Sequence, residues 1–487
     1  MIRQDPYSVF DALSEPAAGA ATAPILALAL GVLALLLCEV IDLLRPLRPF
    51  VFVGTVLVAL FFEFRLLGQA IPPGPVLDGT FVASHDTAAW GVLFLSGTLL
   101  AWAYSLGYQP EGEPFRGEHD ALMLSCAIGM MLMAGAGDLI VFFVGLELLS
   151  IPLYALAAFQ RWRSTSVEAG IKYFLLGSFS SALFLFGAAL LYTAHGTLSI
   201  SALAAAVSGS NLSRIGVALV AASLFFKVSA FPFHTWVPDV YQGSPTPVTA
   251  LMATGTKAAA LAFLLTQAAP LFPERGALLV ALLALVTIAL GNLGALAQED
   301  LKRMLAYSGI AHAGTLLLLV SARMAGADAE ATQRAAIFYM GAYLFTATGA
   351  FGLVSLLESD GSRFTRIDSL RGLARSRPFA AGAMTLFLLS LGGIPATGGF
   401  LGKWFVFATV VRAEMVPVAV AGVLLSVLAL AYYLRVVVVM WMQPPAEGAP
   451  VPATTRPLTA GLATGVCAVL VLATGLLPAL FLSPLNP

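Results

Sequence analysis

An apolar segment with a lysine and a proline inside it determines how this chain folds: residues 213–237 read SRIGVALVAASLFFKVSAFPFHTWV. The segment can cross a bilayer, since a membrane-spanning helix needs about 20 residues. Lys227 lies deep within it, and Pro232 removes a backbone donor and interrupts the helix. A broken helix at membrane depth is tolerated only where protein or a water-filled cavity satisfies the freed backbone groups. The segment therefore indicates a membrane protein with a polar path in its interior.

The composition extends this conclusion to the whole chain. Of its 487 residues, 59% are hydrophobic and only 10% are charged, whereas soluble domains carry about 25% charged residues. The net charge of −1 leaves no basic footprint for nucleic acid, so no nucleic-acid partner is expected. The cysteines at 38, 126 and 467 are isolated and form no CxxC or His/Cys cluster, which argues against disulfides, zinc and iron–sulfur sites.

Fourteen apolar runs are long enough to cross the hydrocarbon core, so we expect an all-α polytopic membrane protein with about 14 transmembrane helices. Segments after odd-numbered runs hold thirteen lysines and arginines, and the other side holds seven. The positive-inside rule then places the odd loops in the cytoplasm and both termini outside it. The runs are 21–44, 50–67, 86–106, 120–135, 138–159, 167–195, 213–237, 247–269, 276–297, 304–322, 331–357, 379–412, 415–442 and 458–481.

The twelfth run is interrupted like the seventh. Residues 392–399 read GGIPATGG, where four glycines surround Pro395, and Lys403 follows. The two breaks lie five runs apart, an odd number, so the two units that contain them would be inverted relative to each other. The lysine precedes one break and follows the other, as inversion requires. Paired interruptions of this kind mark the ion path in inverted-repeat transporters.

Four of the five lysines lie inside apolar runs, and only Lys302 is expected in a loop. A charge in the bilayer costs at least about 2.5–3.5 kcal/mol, so such residues are rare and usually functional. Burial disfavours the ammonium form of a lysine and a nearby carboxylate favours it, so movement of the partner can load or release a proton. We interpret these lysines as stations for proton transfer; the alternative is static buried ion pairs. They are Lys172, Lys227, Lys257 and Lys403.

One carboxylate and two histidines complete the set of candidates. Glu147 lies near mid-membrane, nine residues after Asp138, a predicted N-cap, and a lysine is its natural partner. The alternative is a structural carboxylate bonded to a neighbouring helix. His234, beside the first break, and His312 could relay protons near neutral pH, or each could be a satisfied hydrogen-bonding group on an apolar helix. Lys172 lies near the start of its run, where snorkelling to the interface is the alternative to function.

Several motifs resemble the proton-translocating, antiporter-like membrane subunits of respiratory complex I, NADH:quinone oxidoreductase. The resemblance covers most of the chain, about residues 120–433. The motifs are GLELLSIP at 145–152, EAGIKYF at 168–174, FKVSAFPFHTWVPDVY at 226–241, DLKRMLAYSGIAH at 300–312 and GFLGK at 399–403.

The resemblance implies two inverted five-helix repeats and a division of the chain into four parts. Residues 1–119 would hold the first three helices, 120–275 and 276–442 the two repeats, and 443–487 the last helix. The same resemblance assigns roles to five residues: a Glu147–Lys227 pair, bridging lysines at 172 and 257, and Lys403 as the terminal lysine of the other half-channel.

It also implies that this chain is a non-redox, proton-translocating subunit of an NADH:quinone oxidoreductase in the bacterial inner membrane. FMN, iron–sulfur clusters and quinone would then belong to other subunits, with no cofactor on this chain, and its partners would be the other membrane subunits. A subunit of a Mrp-type cation/proton antiporter or of a membrane-bound hydrogenase is an alternative, because these share the architecture. A structural membrane scaffold with static ion pairs is a third possibility.

Overall fold

The structure, a computed structural model, describes residues 16–68, 74–106, 108, 117–206, 210–358, 365–445 and 458–485. Helices make up nearly all of this part of the chain, and twelve helical segments are long and apolar enough to cross a membrane. The predicted all-α polytopic membrane fold is therefore confirmed.

The α-helices, in chain order, are α1 (Pro16–Val40), α2 (Arg48–Gly68), α3 (His85–Ser105), α4 (Gly117–Gly135), α5 (Leu139–Ala157), α6 (Ser164–His195), α7 (Ile200–Ala206), α8 (Asn211–Val228), α9 (Trp236–Gly243), α10 (Thr246–Leu251), α11 (Lys257–Phe263), α12 (Ala277–Leu296), α13 (Leu301–Met324), α14 (Ala329–Glu358), α15 (Leu373–Ser376), α16 (Pro378–Gly392), α17 (Gly398–Arg412), α18 (Val416–Val427), α19 (Ala429–Met442), α20 (Leu458–Leu476) and α21 (Ala479–Leu482). Short 3-10 turns lie at Asp42–Leu47, Ala269–Leu271, Glu274–Gly276, Ile367–Leu370 and Ser483–Leu485.

The fourth and twelfth predicted spans are also helical, although they are not among the twelve apolar segments. The fourth is α4, whose first turn carries Glu118 and Asp120 and is therefore more polar. The twelfth consists of two shorter helices, α16 and α17. Asp138, the predicted N-cap, accepts a hydrogen bond from the backbone N–H of Ile140 and so begins α5.

Both predicted helix breaks are present. Helix α8 ends at Val228, and irregular backbone through Pro232 leads to α9. Helix α16 ends at Gly392; Gly393 adopts a left-handed conformation with φ of 82°, which glycine tolerates, and α17 begins five residues later. Pro232 and the glycines around Pro395 thus interrupt these two spans at the positions that the sequence predicted.

The eighth span has two further irregularities that the sequence did not indicate. π-helical turns occupy Met252–Thr256, directly before α11, and Leu264–Ala268, directly after it. Such turns inside α-helices are rare and occur frequently at functional sites. Lys257 is the first residue of α11 and follows the first π turn immediately.

The spans differ in how deeply they are buried within the protein. All residues in the apolar window of Thr246–Leu271 and 94% of those in the windows of α13 and α14 are buried, against 22% for Asp42–Gly68. The centre of the molecule is therefore formed by the eighth, tenth and eleventh spans. The peripheral helices leave their large apolar side chains exposed, as a surface in contact with lipid or neighbouring chains requires.

A small β-hairpin, which the sequence did not predict, connects α2 and α3. Strand β1 (Gly74–Val76) pairs antiparallel with β2 (Phe81–Ala83), and Val76 is opposite Phe81. The ring of Phe81 packs against Gly135 at the end of α4. The hairpin therefore ties the N-terminal helices to the first of the proposed repeats.

Candidate functional site

Lys227 occupies the last turn of α8, where the helix breaks, and it is 1% exposed. Its ammonium group donates a 2.7 Å hydrogen bond to the Ser150 hydroxyl on α5. The rings of Tyr154, Tyr173 and Phe226 surround it, with centroids 5.8–5.9 Å from the nitrogen. A cation within about 6 Å of aromatic faces is stabilised by their quadrupoles. The ammonium group of Lys227 is therefore surrounded by one hydroxyl acceptor and three aromatic rings.

Glu147 lies one turn before Ser150 on α5 and accepts a 2.5 Å hydrogen bond from the Ser181 hydroxyl of α6. Its carboxylate interacts electrostatically with Lys227. No ion pair within 4.0 Å joins the two groups in the described part of the chain, because the ammonium reaches the hydroxyl of Ser150 instead. The two groups that the resemblance pairs are thus not in direct contact, and Ser150, which binds Lys227, lies one helical turn from Glu147.

Lys257 is buried in the centre of the molecule, directly after the first π turn. Its ammonium donates to the Tyr241 hydroxyl at 2.9 Å and to the carbonyl oxygen of Ala253 at 3.4 Å. On its other side it approaches Gly309 of α13: a Cβ at Gly309 would lie 3.5 Å from the lysine nitrogen and 3.1 Å from the hydroxyl of Tyr343. The glycine therefore leaves open the space between Lys257 and Tyr343.

His312 lies one turn further along α13, and tyrosines surround it. Its Nδ1 shares a 2.6 Å hydrogen bond with the Tyr339 hydroxyl, and its Nε2 lies 3.4 Å from the Tyr433 hydroxyl. The Tyr343 ring, which borders Lys257 on one side, is 4.9 Å from the imidazole. Tyr343 thus connects the surroundings of Lys257 with those of His312.

Lys403 of α17 reaches back across the second break. Its ammonium donates to the carbonyl oxygens of Leu391 at 2.9 Å and Gly392 at 3.1 Å, which are at the C-terminal end of α16. A cavity lined by His312, Lys403 and Tyr432 joins the lysine to the histidine. It offers about 10 Å³ to the centre of a water molecule, roughly what one water needs.

Two of the predicted site residues lie apart from this row. Lys172 on α6 has a side chain that is 42% exposed and pairs with Glu168 at 2.7 Å and Asp239 at 2.9 Å. Asp239 also pairs with Arg303 at 2.6 Å. His234 lies at the first break, where its buried Nδ1 has no hydrogen-bond partner among the described residues. The structure thus brings Glu147, Lys227, Lys257, His312 and Lys403 together with their hydroxyl or carbonyl partners, and it leaves Lys172 and His234 at the edge.

A buried ion pair was missed by the sequence reasoning. The expectation that Lys302 lies in a loop is wrong: it is the second residue of α13 and is 2% exposed. Its ammonium lies 3.7 Å from Glu358 and donates to the carbonyl oxygen of Ser244 at 2.8 Å. Glu358, at the end of α14, also accepts hydrogen bonds from Tyr108 and Thr246. Its place at the end of a long apolar run was the signal that could have indicated a buried carboxylate.

Among the residues that the structure describes, no group of three or more His, Cys, Asp or Glu side chains is placed to hold a metal ion. The described site carries ammonium, imidazole, carboxylate and hydroxyl groups, which can exchange protons with one another.

The chain is similar in sequence to known membrane proteins. A model of the family described as NADH:quinone oxidoreductase/Mrp antiporter, TM, matches residues 136–429. NADH-quinone oxidoreductase subunit N of Salinibacter ruber is 42% identical over 444 residues, which cover 88% of each chain. Subunit N 1 of Sorangium cellulosum is 44% identical over 407 residues, covering 80% of this chain and 79% of the relative.

Solved structures share the fold over almost the whole chain. A chain of respiratory complex I from Thermus thermophilus is 35% identical, with a TM-score of 0.78 over 94% of this chain and 98% of that chain. A chain of the archaeal membrane-bound sulfane sulfur reductase gives a TM-score of 0.83 at 23% identity, and one of the Mrp complex from Dietzia gives 0.81 at 22%, each covering 96% of both chains. The last two show a common fold alone. The resemblance inferred from the sequence motifs is confirmed.

Proposed function

The chain belongs to the NADH:quinone oxidoreductase/Mrp antiporter family of membrane proteins, and we propose that it translocates protons as a membrane subunit of an NADH:quinone oxidoreductase. FMN, iron–sulfur clusters and quinone would be bound by other subunits. Identities of 35–44% to complex I subunits favour this complex over a Mrp antiporter or a hydrogenase, whose relatives here share the fold at 22–23% identity.

The observation that carries the proposal is a row of buried basic groups that coincides with irregular backbone. Lys227 lies in the last turn of α8 at the first break, Lys257 follows a π turn, and Lys403 caps α16 at the second break. Tyr343 and a water-sized cavity connect Lys257 to His312 and His312 to Lys403. Unpaired charges are expensive in a membrane interior, so four basic groups in one row favour a role that uses their protons.

The Glu147–Lys227 coupling would act as the switch. While the carboxylate is close and ionised, it favours the ammonium form of Lys227. A change in charge or helix position that weakens this interaction would release the proton towards Lys257, His312 and Lys403. At short range in a site of low dielectric, one charge pair contributes enough energy to move such an equilibrium by several powers of ten.

Trp236 lies between the surroundings of Lys227 and those of Lys257. Its ring stacks on Tyr173 at 4.6 Å, on the side of Lys227, and meets Tyr241 edge-on at 6.1 Å, on the side of Lys257. A proton that passes between these lysines therefore requires movement of α9 or entry of water beside the indole. The irregular backbone of the first break, next to Trp236, has fewer helical hydrogen bonds to oppose such a movement.

Helix packing supports the division into two repeats at 120–275 and 276–442. A Cβ on Gly129 of α4 would meet the backbone of Gly145 and Leu149 in α5, and one on Gly291 of α12 would meet Tyr307 and Ala311 in α13. In each pair of helices, the glycine and the two residues that its Cβ would meet are equally far apart in sequence. If Gly129 of the first unit corresponds to Gly291 of the second, then Glu147 corresponds to Gly309, which lies beside Lys257. The second unit would therefore lack the carboxylate of the first.

Lys172 and His234 would act outside the central row of basic groups. Lys172 would act at the protein surface and His234 at the first break. Half-exposed Lys172, paired with Asp239, could exchange protons with a neighbouring subunit. We further propose a location in the bacterial inner membrane, with both termini outside the cytoplasm and other membrane subunits of the complex as partners.

The test is Lys227→Ala in the assembled complex, with proton translocation measured against NADH:quinone electron transfer. We expect assembly to persist and proton translocation to be lost or much reduced. Arg65→Ala is a matched control, because Arg65 is exposed on α2 and forms no ion pair in the described part of the chain. Normal coupled pumping by Lys227→Ala would exclude the role given to this lysine. A loss of assembly in proportion to activity would favour a static scaffold.

A further inference from the structure

A groove outside the proton path opens between α8 and α12. It has a volume of about 400 Å³ and is lined mainly by apolar side chains from these helices, from the second π turn and from the end of α13. Ala218, Ala221 and Ala222 line one wall. Since their side chains are small and lie on one face of α8, they leave the space beside this face unfilled.

Basic side chains gather at one end of the groove. Arg214 and Arg275 line it where α8 and α12 begin, and both are exposed. Neither side chain forms an ion pair or a hydrogen bond among the described residues, and the side chain of Glu274, the neighbouring acid, is exposed and unpaired as well. Arg323, adjacent to the groove residue Met324, has a buried Nε without a hydrogen-bond partner in the described chain. The guanidinium groups at this end of the groove are therefore available to bind an anion.

The other end of the groove reaches the first helix break. Phe225, near the end of α8, and Phe233, within the irregular segment that follows α8, line it there. Arg214 and Phe225 are separated by about 16 Å along α8, at 1.5 Å per residue. The groove thus runs from a basic end near the helix termini to the interrupted part of the seventh span, with an apolar lining between.

We propose that the groove binds one anionic phospholipid, with its phosphate at Arg214 and Arg275 and one acyl chain along α8 towards Phe233. The unpaired arginines select a negatively charged headgroup, since clusters of basic residues near the membrane surface attract anionic lipids. The apolar lining accepts the chain. A lipid bound there covers the first break from the bilayer side and keeps water out of the region behind Lys227. This inference does not depend on the proposed function, because it concerns binding alone.

The experiment uses the intact complex in bilayers and a photoreactive phosphatidylglycerol with the reactive group in its acyl chain. We expect labelling of α8 and α12 at the groove, competed by unlabelled phosphatidylglycerol and not by phosphatidylcholine. Arg214→Gln with Arg275→Gln should weaken this labelling roughly thirtyfold, as expected for two basic contacts of the usual strength. Arg412→Gln, which removes an exposed arginine outside the groove, should label like the wild type.

A second variant keeps the proposal testable if the arginine variants assemble poorly. Ala221→Phe fills the apolar part of the groove and leaves the arginines intact, so it should abolish labelling of α8 by the acyl chain. Equal competition by phosphatidylcholine would overturn the anionic selectivity, and undiminished labelling in both variants would overturn the site. Absence of labelling in the wild-type complex, as when a neighbouring subunit covers the groove, would also overturn it.

Discussion

The ammonium group of Lys403 donates a 2.9 Å hydrogen bond to the backbone carbonyl oxygen of Leu391. A second bond, of 3.1 Å, goes to Gly392, the last residue of α16. The last carbonyl groups of a helix have no partners within the helix, so this lysine satisfies acceptors that the second break leaves open. Lys403 is therefore a structural cap, and the proposed function also gives it a transferable proton. Substitution can separate these two roles.

Lys403→Arg should separate the two roles. Arginine keeps the positive charge and the donors that cap α16, but it does not lose its proton in proteins. We expect this variant to assemble and to melt close to the wild type, while proton translocation per electron falls severalfold or more. Thermal unfolding and proton uptake into vesicles during NADH oxidation measure the two effects.

Lys403→Met supplies the comparison, because it removes both the cap and the proton. It should lose stability as well as translocation, since hydrogen bonds from charged groups contribute about 1.5–3 kcal/mol. Full pumping by Lys403→Arg would show that this lysine acts only as a cap.

Tyr241→Phe tests the hydroxyl that accepts a hydrogen bond from Lys257. Without it, the buried ammonium keeps only the 3.4 Å bond to Ala253 among the described residues. We expect a loss of about 1.5–3 kcal/mol in stability and a severalfold slower proton translocation. Tyr307→Phe is the control, since its hydroxyl forms no hydrogen bond in the described part of the chain. Equal turnover of the two variants would contradict a role for the Lys257–Tyr241 contact.

The features that the sequence predicted are those with local causes. A proline or a cluster of glycines interrupts a helix wherever the chain folds, so Pro232 and Pro395 located both breaks. A lysine within a run of apolar residues is carried into the membrane with its helix, which is why the burial of Lys227 and Lys257 was foreseeable.

The features that the sequence did not predict depend on contacts between distant segments. Ser150 takes the ammonium of Lys227, and three tyrosines surround His312, only because separate helices pack together. Lys302 is the clearest example of a residue whose environment the sequence did not predict. Its immediate neighbours are polar and indicate a loop, yet the end of α14 covers it and supplies Glu358.

The Lys302–Glu358 pair leads to a prediction about stability. Lys302→Met leaves the carboxylate of Glu358 buried without its cation, which should cost about 3–5 kcal/mol. Adding Glu358→Gln removes the uncompensated charge and keeps an oxygen for Tyr108 and Thr246. We therefore expect the double variant to be more stable than Lys302→Met alone, by thermal unfolding of the purified complex. A double variant no more stable than the single one would argue against the pairing.

Gly129→Ala tests the close approach of α4 and α5. A Cβ on Gly129 would lie 2.4 Å from the backbone nitrogen of Leu149 and 2.7 Å from the carbonyl oxygen of Gly145. Backbone atoms cannot yield like the end of a side chain, so the helices must separate. We expect a loss of about 1–3 kcal/mol, typical of overpacking, and a lower melting temperature.

Gly461→Ala on α20 is the matched control, because no atom lies within 4 Å of the Cβ it would add. Alanine is the better helix former by up to about 1 kcal/mol, so this variant should melt at or slightly above the wild-type temperature. If the packing of the two proposed repeats is equivalent, Gly291→Ala should destabilise the protein about as much as Gly129→Ala, since its Cβ would lie 2.5 Å from the backbone nitrogen of Ala311. A neutral Gly291→Ala beside a destabilising Gly129→Ala would contradict that equivalence.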